Sequence, residues 1–517
     1  MVRSCNLPLL AVETREYGCI KTLQSAKCGV AFTIIMLGIA LIWLSFSILS
    51  MHGAGKSHIS SHVVRLATHN ASTKLSKLFK AAPKVELHSH LDGALQPETL
   101  CHLANINGAT ELLNRTFLSQ ASPQGCRIGV STVQKAFGSP LIEGVESCQF
   151  ALAPYVTSYE TSSLSAFLRP FTCISDFIKL PGGIKALGRA FVPQQAAENI
   201  LYTEAQFAPQ LLLESCRPFI DCDVRSLQMR DEIEDVVKRT IDGIAASKLG
   251  RTSVKILLDC FRNLHVSFCE QLLEIAISMK ASTDGGITKT GVHYRYSDFI
   301  VGVNIAGDEL NFPNGASIDG AESFEALFGR MKDKLEEVNL GITPHSGEPA
   351  FALAVQDCSS AIDRMGASRI GHGYHCTDSQ MEQMAQKGVH IETCPASSMA
   401  TGAVSSWATH PIRKMNSLGV SISLNTDDRA VIGTTMTAQH ELARFKLGFS
   451  MKDIARAALD GMRASFAPAQ MKVDVCTQVK SWWLQKVEEH GGNWVLDGMA
   501  THSEVLELRS YLNAMHC

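Results

Sequence analysis

From residue 84 onward, the chain alternates short apolar runs with longer stretches in which apolar residues recur at helical spacing. Eight of the apolar runs have the length of a β-strand, and a stretch long enough for a helix follows each of them. These predicted strands are Lys84–His90, Asn199–Pro209, Thr252–Phe261, Asp298–Gly307, Gly341–Glu348, Arg369–Gly373, Val389–Pro395 and Ser421–Asp428. Strand–helix alternation predicts an α/β fold with a parallel sheet, and eight repeats favour a closed, TIM-like (β/α)8 barrel. An open doubly wound sheet is the alternative, but no Gly-x-Gly-x-x-Gly turn follows the first strand.

A different pattern precedes the predicted barrel. Residues 29–51 are 23 consecutive positions without a charged side chain. At about 1.5 Å per residue, a helix of this length spans a hydrocarbon core of about 30 Å. The run exceeds the apolar core of a signal peptide, which is about 7–15 residues, and no clear small-x-small cleavage site follows it. A buried core helix would carry a polar stripe, which this segment lacks. We therefore expect an uncleaved transmembrane signal anchor ahead of the barrel.

Basic residues flank this apolar segment unequally. Those before it are Arg3, Arg15, Lys21 and Lys27, and those that follow closely are Lys56 and Arg65. The positive-inside rule then places the N-terminus in the cytosol. We expect a short cytosolic tail (1–28), the anchor (29–51), a polar stalk (52–80) and a folded domain (81–517). This type II, single-pass arrangement puts the folded domain in a lumenal or extracellular space, and the glycosylation sequons at Asn70 and Asn114 agree with it.

Composition and charge exclude several classes of protein. Of the 517 residues, 45% are hydrophobic and 19% are charged, which is not the composition of a disordered chain. Lys and Arg number 47 against 50 Asp and Glu, so no basic surplus is available to bind a nucleic acid through its phosphates. The 16 cysteines are too few for a disulfide scaffold, and none belongs to a Cys-x-x-Cys motif.

Candidate chemistry lies at the ends of the predicted strands. In the first strand, His88 and His90 are two residues apart, so their side chains share one face. Later strand ends add His345, Glu348, His372, Asp427 and Asp428. The C-terminal ends of barrel strands converge on one mouth, where barrel enzymes build their sites. Three His and one Asp at such a mouth form a nitrogen and oxygen donor set that suits zinc.

Six motifs, in this order along the chain, resemble those of the adenosine deaminase family. They are Pro83–Gly93 (PKVELHSHLDG), Ala306–Glu309 (AGDE), His345–Glu348 (HSGE), Arg369–His375 (RIGHGYH), Cys394–Ser398 (CPASS) and Ser423–Asp428 (SLNTDD). The resemblance covers roughly residues 81–467. It implies a hydrolase with one Zn²⁺ per chain, which converts adenosine and 2′-deoxyadenosine to inosine and deoxyinosine with release of ammonia.

The resemblance also implies the roles of the catalytic groups. The zinc ligands would be His88, His90, His345 and Asp427, and the ion would lower the pKa of a bound water. His372 would orient that water or take up its proton, and would stabilise the developing charge. Glu348 would supply a proton to N1 of the purine, so that C6 accepts electron density.

Further residues would bind the substrate, again as the resemblance implies. Asp428 would recognise N7 and the backbone N–H of Gly307 would recognise N3, while Asp92, with His90 nearby, would meet the ribose hydroxyls. An apolar gate over the base would be formed by Phe167, Leu168 and Phe171. These three residues also have the spacing of ordinary helix packing, which remains the alternative to a gate.

Two motifs bear on the choice of substrate. Leu91–Ala94 and Gly373–His375 are similar to the nucleoside-level adenosine deaminases, whereas N6-methyl-AMP deaminases tend to carry Asn in place of Asp92. We therefore expect a small nucleoside substrate and no nucleic-acid partner, with adenosine, deoxyadenosine and methylthioadenosine all open. The alternatives are a deaminase of a modified adenine nucleotide such as N6-methyl-AMP and a non-catalytic adenosine-binding signalling protein. A binding protein that had lost catalysis would usually lack a metal ligand or Glu348, and this chain retains them all.

Three positions depart from the family pattern. Gln206 stands where an Arg is common, Asn304 where an Asp is usual, and Arg429 where a Pro often follows the Asp pair. An amide cannot replace a guanidinium group in an ion pair, so we expect an effect of Gln206 on stability or positioning. Residues 101–164 form an insertion relative to the compact enzymes. Its Cys126 and Cys148 could pair if the domain is lumenal.

Overall fold

Eight parallel strands form a closed barrel in the computed structural model, which describes residues 71–108, 163–214, 226–247, 250–317 and 320–517. In chain order the strands of the described residues are β1 (Lys84–His90), β2 (Ile200–Phe207), β3 (Ser253–Phe261), β4 (Gly285–Ile287), β5 (His293–Arg295), β6 (Ile300–Ala306), β7 (Gly341–Ile342), β8 (His345–Ser346), β9 (Arg369–His372), β10 (His390–Thr393) and β11 (Ile422–Leu424). Strands β4 and β5 form a separate antiparallel hairpin. The others occupy the eight positions that the apolar runs predict.

The barrel consists of two parallel sheets that meet at both edges. One has the order β1-β2-β3-β6-β7 and the other has the order β11-β10-β9-β8. Strands β7 and β8 are two halves of the fifth barrel strand, and Pro344, which has no N–H to donate, lies between them. The other edge closes between β1 and the residues after β11. There the N–H of His90 donates to the carbonyl of Asp427, and the N–H of Asp427 donates to the carbonyl of His88, both at 3.0 Å.

Helices follow the strands around the outside of the barrel. Their bounds are Pro97–Ile106, Leu164–Phe167, Arg169–Ile178, Gly183–Ala197, Leu227–Ala246, Val266–Ala281, Phe324–Glu337, Ala354–Asp363, Asp378–Lys387, Pro395–Ala400, Ile412–Ser417, Arg429–Ile432, Met436–Phe445, Met451–Ala464, Ala469–Leu496 and His502–Ala514. Local sequence explains where several of them begin. Thr377 and Ser450, for example, each accept a hydrogen bond from the backbone of the first turn in a reciprocal capping box.

The core explains why these segments form buried strands. Strands β2 and β6 are buried along their whole length, as expected of parallel strands that helices cover on the outside. Residues 71–81 are also helical, and their Leu75 and Phe79 are buried in the core beside β1 and the C-terminal helices. The folded body therefore includes residues 71–80, which were predicted to be part of the stalk.

The prediction of a membrane helix requires correction. Among the described residues, no helix is long and apolar enough to cross a membrane. The longest of them, Ala469–Leu496, has 28 residues, but side chains such as Lys480 and Lys486 interrupt its apolar character, and charges are costly in a lipid core. The predicted anchor, residues 29–51, lies outside the described residues. We therefore retain neither the transmembrane signal anchor, nor the membrane contact, nor the type II single-pass placement.

Other predictions also fall outside the described residues. These are the tail 1–28, most of the stalk 52–80, both sequons, most of the insertion 101–164, and Cys126 with Cys148. They stay predictions.

Candidate active site

Four predicted metal ligands meet at the C-terminal end of the barrel. His88 and His90 project from β1, His345 opens β8, and Asp427 follows β11. One potential ligand atom of each lies within 4.8 Å of the others. The Nε2 atoms of His88 and His90 both lie 3.3 Å from Oδ1 of Asp427, and Nε2 of His90 lies 3.3 Å from Nε2 of His345. The barrel closure between β1 and Asp427 thus brings together residues that are far apart in the sequence.

Each of the three histidines has an oxygen partner at its other ring nitrogen, Nδ1. The distances from Nδ1 are 2.8 Å for His88 to Glu392 Oε2, 3.4 Å for His90 to Asp259 Oδ2, and 3.1 Å for His345 to Asn304 Oδ1. A ring whose Nδ1–H donates to an oxygen presents the lone pair of Nε2 on its other side. The partners therefore orient all three rings so that the Nε2 atoms face a common point.

These residues fit a divalent metal ion. The Nε2 atom of His88 is fully buried and, although Oδ1 of Asp427 lies 3.3 Å away, it makes no hydrogen bond of good geometry among the described residues. Such an orphaned buried group requires a physical reason, and coordination provides one. Burial lowers the pKa of His345 well below its usual range, and the neighbouring His88 and His372 add to this, so the ring is neutral and able to coordinate. Three imidazoles and one carboxylate form a donor set that suits a tetrahedral or five-coordinate site.

Two residues of the site have a strained backbone. His372 has φ 67° and Asp427 has φ 61°, the left-handed region that side chains other than glycine rarely adopt. Such strain persists only where the surrounding structure enforces it, and it concentrates at functional sites. At Asp427 the cause is visible, because the two backbone hydrogen bonds to β1 hold the residue in place.

Glu348 lies on a tight turn beside the ligand cluster. The turn passes through Gly347, at φ 65°, and the N–H groups of Gly347 and Glu348 donate to the two carboxylate oxygens of Glu309 at 2.6 and 3.0 Å. The side chain of Glu348 is buried, with Oε2 3.8 Å from Nε2 of His372. Burial, followed by the charges of Asp427 and Glu309, raises the pKa of Glu348 well above its usual range. Burial and the two neighbouring negative charges therefore favour the protonated form of this carboxyl group, the form that can donate a proton.

The predicted substrate-binding residues lie at the same mouth of the barrel as the cluster. Oδ1 of Asp428 is buried without a hydrogen-bond partner among the described residues, and a Cβ atom at Gly93 would lie only 1.9 Å from it. Gly93 thus leaves the space that the Asp428 carboxyl group occupies. The N–H of Gly93 donates to Oδ1 of Asp92 at 3.1 Å. Gly307, at φ 110°, ends β6 at the same mouth.

A cavity of about 640 Å³, measured with its open mouth, joins these residues. The predicted site residues that line it are His90, Asp92, Gly307, His345, Glu348, His372, Asp427 and Asp428, while His88 lies buried behind them. The apolar wall contains the predicted gate residues Phe167, Leu168 and Phe171 together with Leu164, Leu211 and Phe261. No Lys or Arg lines the part of this cavity that the described residues form.

Sequence reasoning missed a charged network behind the metal cluster. The guanidinium of Arg369 donates through Nε to Oε1 of Glu392 at 2.6 Å, and its Nη1 lies 2.5 Å from Oε2 of Glu204. Burial alone would raise the pKa of Glu392, but Arg369 and the hydrogen bond from His88 lower it to about 2. The carboxylate that holds His88 is therefore ionised. The sequence signal that could have revealed this network is Glu392, a charged residue within the apolar run Val389–Pro395.

The three residues that depart from the family pattern all make hydrogen bonds in the interior of the barrel. Nδ2 of Asn304 donates to Oε1 of Gln206 at 2.7 Å and to Oδ1 of Asp259 at 3.0 Å, so two of the departures form one hydrogen-bonded pair. The third, Arg429, donates through Nη2 to Oε2 of the buried Glu86 at 2.8 Å. At Gln206, where an ion pair was predicted to be lost, the structure has a neutral pair of amide side chains. Asn304, one member of this pair, also contacts His345 and Asp259, the partner of His90.

Known proteins resemble this chain in sequence. The family model described as "Adenosine deaminase" matches residues 146–482. An adenosine deaminase of Xenopus tropicalis is 26% identical over 410 residues, which cover 77% of this chain and 95% of that protein. An adenosine deaminase of Shewanella loihica is 27% identical over 388 residues, which cover 74% of this chain and 94% of that protein.

Solved structures have the same fold. An adenine deaminase from Arthrobacter aurescens superimposes with a TM-score of 0.54 at 21% identity, over 78% of this chain and 99% of that one. An N6-mAMP deaminase from arabidopsis superimposes with a TM-score of 0.55 at 20% identity, again over 78% and 99%. The family match covers more than half of the residues. The chain therefore belongs to the adenosine deaminase family and is a hydrolase that deaminates adenine-type substrates.

Proposed function

We propose that this protein is a zinc-dependent deaminase of free adenosine and 2′-deoxyadenosine. The observation that carries the proposal is the cavity itself. Three of the four potential metal ligands line it together with the buried Glu348, and apolar side chains, among them Phe167 and Phe171, form the rest of its wall. This arrangement suits a flat aromatic ring whose reacting carbon points toward the metal cluster.

The zinc ion would be held by His88, His90, His345 and Asp427. When bound, it supplies Lewis acidity that lowers the pKa of a water molecule toward neutrality. The oxygen atoms of Glu392, Asp259 and Asn304 keep the three histidine rings oriented for metal coordination.

The chain's own residues would move the protons. His372 lies beside Glu348 and would orient the attacking water and accept its proton. Glu348 would donate its proton to N1, which makes C6 of the purine electrophilic enough for the water oxygen to add there. His372 would then pass the proton taken from water to N6, so that the C6–N6 bond breaks and ammonia leaves, while the proton of the new C6 hydroxyl returns to the Glu348 carboxylate as C6=O forms. Adenosine and water thus give inosine and ammonia.

Other groups would fix the position of the nucleoside. Asp428 would face N7, the N–H of Gly307 would face N3, and Asp92 would accept a hydrogen bond from a ribose hydroxyl. Phe167 and its apolar neighbours would cover the base and exclude water, which strengthens the electrostatic interactions inside the site.

The cavity favours a nucleoside over a nucleotide. Neither Lys nor Arg is present among its described lining residues, whereas two carboxyl groups, Asp92 and Asp428, lie at the predicted sugar and base positions. A phosphate would find no positively charged side chain among these lining residues, and burial of an anion without a partner is costly. This observation counts against the alternative of an N6-methyl-AMP deaminase.

The decisive experiment compares four substrates by the loss of ultraviolet absorbance that accompanies deamination: adenosine, deoxyadenosine, AMP and N6-methyl-AMP. We expect kcat/KM for adenosine to exceed that for AMP by at least about a hundredfold, since about 1.4 kcal/mol corresponds to a factor of ten. Elemental analysis before and after chelation should show that zinc and activity are lost together. Equal turnover of AMP would contradict the nucleoside assignment, and full activity in metal-free protein would contradict the zinc assignment.

A further inference from the structure

A disulfide bond lies directly beneath the turn that carries Glu348. It joins Cys358, in the helix Ala354–Asp363, to Cys376, which follows the strand that ends at His372. Both cysteines are buried. The bond therefore connects two segments that leave neighbouring barrel strands, β8 and β9, and each segment carries one of the two residues assigned to proton transfer.

The sulfur atoms are in contact with the turn itself. A Cβ atom at Gly347 would lie 2.6 Å from Sγ of Cys358 and 3.3 Å from Sγ of Cys376, so both sulfurs pack against the α-carbon of this glycine. The N–H of Gly347 also donates to Oε1 of Glu309. The carbonyl of Gly347 accepts a hydrogen bond from the N–H of His375 at 2.9 Å. Gly347 is thus held by two hydrogen bonds and by its contact with the disulfide.

We propose that Cys358 and Cys376 are positioning residues for the deamination reaction. The bond fixes the distance between Glu348 and His372, whose side chains lie 3.8 Å apart. The inference rests on the proposed function, because it assigns the disulfide a part in proton transfer to and from the substrate.

The packing indicates why the turn would move without the bond. Bonded sulfurs are about 2.0 Å apart, whereas heavy atoms that are not bonded prefer about 3.5–4.0 Å. Reduced thiols would need that extra space beside Gly347, whereas alanine side chains in place of the two cysteines would leave a gap there, so either change removes the contact that holds the turn. A displacement on the order of 1 Å at a reacting group costs up to about a hundredfold in rate.

A second disulfide in the same domain provides a matched control. Cys476 and Cys517 join the helix Ala469–Leu496 to the C-terminus, with a sequence separation of 41 against 18 for Cys358 and Cys376. Neither Cys476 nor Cys517 lines the active-site cavity. Because a longer closed loop gains more stability in the chain-entropy account, a purely global effect would be larger for this control.

The test compares Cys358→Ala/Cys376→Ala with Cys476→Ala/Cys517→Ala and with wild type. Steady-state kinetics on adenosine are measured at a temperature where circular dichroism shows all three to be folded. We expect kcat of the first variant to fall about 10- to 100-fold, with KM and zinc content close to those of wild type, and kcat of the control to be unchanged. A wild-type kcat in the first variant, or equal losses in both variants, would overturn the proposal.

Hydrogen–deuterium exchange gives a readout that does not depend on activity. Amides of residues 345–348 and 373–376 should exchange faster in Cys358→Ala/Cys376→Ala than in the control. Equal exchange would contradict the proposal that the disulfide holds the Glu348 turn in place. If wild type fails to deaminate adenosine but this difference appears, the proposed function is wrong while the structural role of the bond stands.

Partial reduction covers the case in which the first variant does not fold. Wild-type protein is treated with dithiothreitol, alkylated and analysed by mass spectrometry, so that the fraction of each disulfide that has opened is known. Activity that falls in step with alkylation of Cys358 supports the proposal, and activity that follows alkylation of Cys476 instead refutes it.

Discussion

Replacement of Gly93 by alanine tests whether the position of the Asp428 carboxyl group controls catalysis. The added Cβ atom would lie 1.9 Å from Oδ1, 2.7 Å from Cγ and 2.8 Å from Cβ of Asp428. Since nonbonded heavy atoms prefer separations of about 3.5 Å or more, Asp428 must retreat by more than about 1 Å. Gly93 is not among the glycines with positive φ, so alanine fits the backbone and the effect is confined to this contact.

A displacement of this size at a substrate-positioning group costs about a hundredfold in rate, equivalent to about 2.7 kcal/mol of transition-state stabilisation. We therefore expect kcat/KM for adenosine to fall about a hundredfold in Gly93→Ala, with zinc content and melting temperature close to wild type. Gly492→Ala is the matched control, because an added Cβ atom there would have no neighbour within 4 Å. A kcat/KM within about twofold of wild type in Gly93→Ala would refute the reasoning, whereas an equal loss in both variants would point to a general effect of the substitution.

Three further predictions concern the proton donor, the metal site and the response to pH. Glu348→Gln keeps the shape of the turn but has no acidic proton, so kcat should fall about 10²–10⁴-fold at unchanged zinc content; a variant with half the wild-type turnover would mean that another group donates the proton. Asn304→Leu removes the acceptor for Nδ1 of His345 and should weaken zinc binding about 10- to 100-fold in a chelator competition, an expectation that equal affinities would contradict. Burial, and then the charge of Glu309, raises the pKa of Asp357 to about 7, above its usual value of 3.8 in an unfolded chain. The folded protein therefore retains a proton that the unfolded chain releases, so the contribution of Asp357 to stability is complete below about pH 4 and is lost as the pH rises through about 7. Asp357→Asn should show a smaller decrease in the free energy of unfolding between pH 5 and pH 8 than wild type, as measured by urea denaturation, and parallel curves would argue against this origin.

The pairing of Gln206 with Asn304 shows how a departure from the family pattern is accommodated. Considered alone, an amide at position 206 suggests a lost ion pair. In the barrel its Oε1 accepts from Asn304, whose own Oδ1 accepts from the ring of His345. Neither side chain is charged, so no unpaired charge is left in the buried interior, where it would be costly. The two departures therefore form one structural unit.

The local sequence was sufficient to predict the eight strands and the residues at their ends. Parallel barrel strands are buried on both faces, so each appears as a continuous apolar run, and helical spacing between the runs indicates the connections. The His-x-His pair on β1 and the Asp pair after β11 follow from the same argument, because strand ends meet at one mouth. The membrane assignment of residues 29–51, which rested on the length of the run and its lack of charge, is the prediction that we have corrected.

Only the tertiary structure decided which distant residues support the site. Glu392 contacts His88 across 304 positions, and Gly93 leaves room for Asp428 across the closure between β1 and β11. It also showed that Leu75 and Phe79 are buried in the folded body, and that Cys358 and Cys376 meet beneath the Glu348 turn. Hydrophobic spacing is a local property that a short window of sequence contains. The partner of a buried charge, the space beside a glycine and the pairing of cysteines depend instead on how the closed barrel brings separate segments into contact, which no single segment encodes.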